Sequence, residues 1–290
     1  MEGLLQSSHW PFIIDVYFFL GGLAGGAFVI ATAALLVNAV RFRDVARIGY
    51  YLAFVALLPC PLILIVDLGV PARFLNMMMR FNVLSPMSMG AWALAGFGAC
   101  AFLAALFTLL EDMRRSGDLT GAKRIVGVVG GFFGFFLAAY PGVLLGATAQ
   151  PLWSNAHALG ALFLAVGAST GAAAMALLLS FGGRRSADGV AALRLITALA
   201  LVVQLLSVVV FVVSVQASGS MQASAALALL MSGPLSLLFW SAIVVGAVVP
   251  LVMGFMSMKR ESFGLTAVAS VLVLAGGFVV KYVIMAAGQI

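Results

Sequence analysis

Eight apolar runs dominate this chain, at about 12–40, 48–69, 86–110, 125–149, 157–181, 195–217, 234–257 and 263–287. Each is long enough to cross a hydrocarbon layer of roughly 30 Å as a helix, which takes about 20 residues. Backbone in lipid must satisfy its own hydrogen bonds, so such runs fold as helices. The sequence therefore predicts an all-α, polytopic membrane protein with eight transmembrane helices. Its 64% apolar and 8% charged residues exclude a soluble domain, for which about half and about a quarter are usual.

Basic residues set the orientation. Of fifteen Lys and Arg, twelve fall in four alternate breaks: Arg41, Arg43 and Arg47; Arg114, Arg115, Lys123 and Arg124; Arg184, Arg185 and Arg194; Lys259 and Arg260. Positive breaks stay cytoplasmic, which places both termini on the outer side. Trp10, Trp92, Trp153 and Trp240 then fall toward the outer interface, where amphipathic rings anchor. The net charge of +6 is accounted for by these breaks and calls for no nucleic-acid partner. The first run follows Glu2 and no basic residue, so it reads as a retained helix rather than a signal-peptide core.

Short internal echoes suggest duplication. Pro86-x-Ser88-x-x-x-Trp92 returns as Pro234-x-Ser236-x-x-x-Trp240, and Gly134-x-Phe136-Leu-Ala-x-Tyr140 as Gly276-x-Phe278-Val-Val-x-Tyr282. Repeats four helices apart share one orientation, so two four-helix bundles, 1–149 and 150–290, are expected about a pseudo-two-fold along the membrane normal. Small residues at Gly21, Gly22, Gly25 and Gly26 suit close helix contacts.

Polarity is one-sided. Asp15, Asp67, Arg73, Arg80 and Lys281 lie toward the outer side, whereas the cytoplasmic halves of the runs hold hydroxyls and amides such as Thr32, Asn38, Gln204 and Ser207 and no ionisable group. Ionisable residues at membrane depth mark function by default, because centring one in lipid costs about 2.5–3.5 kcal/mol on insertion scales. Asp67 suits a proton donor or acceptor beside a redox ligand, or equally an ion pair with Arg73 that closes the turn at Pro71. Asp15, a turn inside the first helix, reads as a solvated interfacial carboxylate. Tyr140 precedes Pro141, whose missing donor frees a carbonyl beside the phenol. Pro59-Cys60-Pro61 breaks the second run. Arg73, Asn76 and Arg80 share one face of a helix suited to the outer interface, with Met77, Met78 and Met79 as packing.

Metal chemistry finds little support. Cys60 and Cys100 form no CxxC and read as packing residues. His9 and His157 lie near the outer ends, which excludes two bis-histidine haems and disfavours one. Any electrons passing through must use an organic ligand here and metal centres in a partner.

Five motifs occur in order along the chain: Phe19-Leu-Gly-Gly-Leu-Ala-Gly-Gly26; Asp67-Leu-x-x-Pro71-x-Arg73-Phe74; Ser85-Pro86-Met87-x-x-Gly90-Ala91-Trp92; Tyr140-Pro-Gly142-x-x-Leu145 with Pro151-Leu-Trp153; and Tyr282 leading to Ala287-Gly288-Gln289. Together they resemble the NrfD/PsrC-type membrane subunits of polysulfide reductase and related complexes. The resemblance implies no cofactor of the chain's own, no haem and no metal. It implies a menaquinone or ubiquinone bound as substrate in the first bundle near the outer face. It further implies a ferredoxin-like iron–sulfur partner there, joined to a molybdopterin catalytic subunit, in a bacterial inner membrane.

Carried over by position, Tyr140 would hydrogen-bond the quinone ring, with Asp67 and Arg73 nearby. Where polysulfide reductase has an Asn and a His on its first helix, this chain has Ile14 and Tyr17. Tyr17 can donate in place of the histidine; Ile14 cannot replace an amide. The implied chemistry is two-electron, two-proton exchange, with Asp67 or Asp15 relaying protons to the outer aqueous phase. The chain would not be catalytic alone. The competing expectations are a secondary transporter and a cofactor-free membrane anchor.

Overall fold

Long apolar runs with few breaks give a chain built from helices, and a computed structural model describes residues 10–68, 79, 82, 85–115, 117–181, 187–259 and 263–289. Among them no strand occurs. The helices are α1 (Phe12–Asn38), α2 (Arg43–Leu57), α3 (Pro59–Asp67), α4 (Pro86–Asp112), α5 (Thr120–Gly146), α6 (Pro151–Ser154), α7 (Leu159–Ser180), α8 (Ala187–Ala217), α9 (Met221–Met231), α10 (Ser236–Ile243), α11 (Val249–Lys259) and α12 (Phe263–Gly288). Eight spans among the described residues are long and apolar enough to cross a membrane: α1, α2 with α3, α4, α5, α7, α8, α10 with α11, and α12. The protein is a multi-pass membrane protein.

Prolines set the breaks. Pro59 has no N–H to give, so the second span interrupts at Leu58, whose own N–H reaches the carbonyls of Phe54 and Val55 at 3.2 and 3.3 Å. Pro86 opens α4 at its first turn, where a missing donor costs nothing, and the Ser85 hydroxyl accepts from the Ser88 N–H. Pro250 follows a π-helical segment, Val244–Val248, that joins α10 to α11. The π register absorbs the irregularity a proline imposes. By contrast α5 runs unbroken through Pro141.

The first helix is the axis of the molecule. It packs on α2, α5 and α7, while α7 packs in turn on α8 and α12. Gly25 meets the backbone of Gly134 on α5, and Gly26 that of Gly167 on α7. A Cβ at either position would overlap a carbonyl oxygen. The paired glycines are thus helix contacts, as their spacing suggested.

Ion pairs gather the basic breaks at one end. Arg41 reaches Asp188 at 3.3 Å, Arg47 reaches Asp112 at 2.7 Å, and Lys123 pairs with Glu111. Here the structure corrects the sequence reading, because Lys123 and Arg194 lie inside helices and are buried. Helices extend past the apolar limits and bring these side chains among neighbours from other spans. A cavity of about 670 Å³ opens at this end, with Arg43, Arg47, Glu111, Asp112 and Lys123 in its wall. The tryptophans also divide. Trp92 and Trp240 are exposed, whereas Trp153 is buried and donates through Nε1 to the Ile284 carbonyl at 2.9 Å, a packing role rather than an interfacial one.

Candidate functional site

Away from the basic end, four elements enclose a cavity of about 370 Å³. α1 and the residues before it supply Trp10, Pro11, Ile14, Tyr17 and Phe18; α3 and its cap supply Leu64, Asp67 and Leu68; α4 supplies Met87, Gly90 and Ala91; α5 supplies Tyr140 and Leu144. Its volume and mostly apolar wall with a few convergent polar groups are those of a small-molecule site. Three of the residues singled out from sequence, Tyr17, Asp67 and Tyr140, therefore share one space.

The two phenols play different parts. Tyr140 Oη donates to the Pro86 carbonyl at 2.8 Å, and its ring stacks on Phe136 with centroids 5.7 Å apart. With its proton engaged, that oxygen is left to accept, as from a ring hydroxyl. Tyr17 is buried with its ring tilted on Phe18, centroids 5.4 Å apart, and its hydroxyl makes no hydrogen bond to the described residues. Buried tyrosine hydroxyls normally find a partner. Tyr17 thus offers the cavity a donor suited to a carbonyl oxygen.

Asp67 is the last residue of α3 and is exposed, not sequestered. A carboxylate at a helix C-terminus faces the negative end of the macrodipole, a placement disfavoured by about 0.3–1 kcal/mol. A group kept there at the mouth of a cavity connects the ligand space to water. Its alternative partner, Arg73, lies outside the described residues, as do His9 and, from the expected interfacial helix, Asn76, Met77, Met78 and Arg80; Met79 is exposed.

Asp15 differs from expectation. It is buried rather than solvated, is not part of the cavity wall, and its Oδ1 has no hydrogen-bond partner among the described residues. Its burial comes from tertiary packing, which no sequence pattern on α1 alone would show. Lys281, read from sequence as a charge toward the outer side, donates to the Phe18 carbonyl at 2.7 Å. Gly90 was quoted in a motif but not given a role; it lies against the Tyr140 ring, where any side chain would overlap it.

Among the described residues no three His, Cys, Asp or Glu side chains gather as a metal site requires. His157 is exposed and outside the cavity wall.

A family model described as polysulphide reductase, NrfD, matches residues 2–290. The chain belongs to the NrfD family. A polysulfide reductase component of Wolinella succinogenes is 27% identical to it, across 97% of this chain and 94% of that one. The NrfD homologue of Haemophilus influenzae is 28% identical with the same coverage, 97% and 94%. A selenate reductase component of Mesobacillus selenatarsenatis is 31% identical over 74 residues, 26% of this chain and 17% of that one. The NrfD match contains every residue of the cavity wall, together with Lys281.

Proposed function

We propose that this NrfD-family protein is the quinone-reactive membrane subunit of a multi-subunit oxidoreductase. It exchanges two electrons and two protons between a menaquinone or ubiquinone pool and an iron–sulfur partner that serves a molybdopterin catalytic subunit. The observation that carries this reading is the convergence of the Tyr17 hydroxyl, without a hydrogen bond among the described residues, the Tyr140 hydroxyl and Asp67 on one apolar-walled cavity. The relatives named after polysulfide and selenate reductases support a catalytic partner.

The division of labour follows from the hydrogen-bond inventory. Tyr17 donates to one ring oxygen of the oxidised substrate, and Tyr140 accepts from a ring hydroxyl of the reduced one. When the reduced substrate gives up two electrons, its two hydroxyl protons must leave, and Asp67 at the mouth takes them toward water. The apolar wall of Ile14, Phe18, Leu64, Met87 and Leu144 holds the ring and keeps water from it.

Protons exchange at the Asp67 end. Between Phe18 and Thr32 the first helix carries only apolar residues and glycines, about 20 Å of helix without a proton-bearing side chain. With basic breaks cytoplasmic, that end is the outer face of a bacterial inner membrane, and both termini lie there.

Asp67→Asn is expected to lower quinone-linked turnover of the assembled complex by about 100-fold, the low end for loss of an acid–base group. Tyr17→Phe removes one hydrogen bond and should lower it about fivefold. Turnover by both variants at the parental rate, with assembly intact, would reduce the protein to a tether and sink the proposal.

A further inference from the structure

Lys281 is buried to 1% exposure about two turns before the end of α12, inside a membrane-spanning helix. Its Nζ donates to the Phe18 carbonyl at 2.7 Å and stands 5.0 Å from the centre of the Phe163 ring. Gly22 makes room for it, since a Cβ there would lie 2.6 Å from Nζ. No carboxylate among the described residues pairs with it. Phe18 itself walls the ligand cavity, so the ammonium sits behind that wall, about one helix diameter, ~10 Å, from the ligand space.

We infer that Lys281 gives the cavity a positive potential and makes it select ring ligands that carry, or develop, negative charge on a ring oxygen. This rests on the quinone assignment above. Among the described residues no carboxylate forms an ion pair with it, the buried Asp15 of α1 included, and the aromatic ring over it attracts a cation without neutralising it. Asp67 opposes it weakly, because that carboxylate is exposed and water screens it. Where the Phe18 carbonyl and the Phe163 ring hold it protonated, one unit charge about 10 Å away, at an effective dielectric near 20, changes the affinity of an anion on the order of tenfold.

The test compares two probes of equal ring size in membranes holding the complete complex: a 2-hydroxy-1,4-naphthoquinone, ionised at neutral pH, and its neutral 2-methoxy counterpart. The parent should bind the ionised probe about tenfold more tightly. Lys281→Met should remove that preference, and Lys281→Arg should keep it. Lys281→Gln retains a donor for the Phe18 carbonyl without the charge, so it separates charge from helix positioning; it should behave as Lys281→Met does. Parental preference in Lys281→Gln overturns the inference while leaving the quinone site standing. Equal binding of the two probes by the parent overturns it as well, and failure of the parent to bind either probe overturns the quinone assignment itself.

Discussion

Gly90→Val is expected to weaken binding of a quinone analogue by about 10- to 100-fold while the protein remains in the membrane with its partners. The Cβ of any residue at 90 would overlap the Cζ, Cε1 and Oη atoms of Tyr140. The ring must then swing away and surrender its bond to the Pro86 carbonyl. The added methyls also enter the space between α4 and α5 that a ligand would fill. Overpacking of this kind costs about 1–3 kcal/mol, and about 1.4 kcal/mol charged to binding is a factor of ten. Titration of membranes with a fluorescent hydroxyquinoline N-oxide reads the affinity. Partner subunits recovered with the protein confirm that the helices still assemble.

A second large effect is expected from Gly26→Leu, which should prevent the protein from accumulating. At this position a Cβ would overlap the Gly167 carbonyl and come within 3.1 Å of the Ala168 Cα, so the obstruction is backbone on a facing helix and no rotamer relieves it. The helices α1 and α7 would have to separate along one of the main contacts of the first helix. A clash with fixed backbone belongs to the exceptional losses above about 4 kcal/mol, against total stabilities of about 5–15 kcal/mol. Immunoblots of membranes at matched expression measure the outcome. Gly264→Leu is the control, because nothing lies within 4 Å of a Cβ there; it should accumulate normally.

The contrast between these two glycines shows what the sequence could reveal. Gly26 announces itself through local density, Gly21-Gly22-x-x-Gly25-Gly26, and small residues so spaced favour close helix approach. The eight spans were legible for an equally direct reason, since the length of each run is dictated by bilayer thickness. The break at Leu58 and the start of α4 followed from Pro59 and Pro86, because a missing N–H acts locally.

Tertiary features were less accessible. Asp15 reads as solvated when α1 is considered alone, and only its neighbours in space bury it. Lys123 and Arg194 lie beyond the apolar limits of their runs, so hydropathy stops short of helices that continue to include them. For Lys123 the compensation is Glu111, a residue on another span. The family resemblance groups Tyr17, Asp67 and Tyr140 around one ring, but nothing in their spacing does so, because their meeting in one cavity depends on the packing of α1, α3, α4 and α5. Lys281 was visible as a charge in an apolar run; its bond to Phe18 required Gly22 to be opposite it.

The account depends above all on this cavity receiving the quinone ring. A photoreactive azido-quinone, cross-linked in membranes containing the complete complex and mapped by peptide mass spectrometry, addresses that most directly. Adducts are expected at Ile14–Phe18, Leu64–Leu68 and Met87–Ala91, competed away by unlabelled quinone and diminished in Gly90→Val. Competable labelling confined to other parts of the protein, or to partner subunits alone, would contradict it.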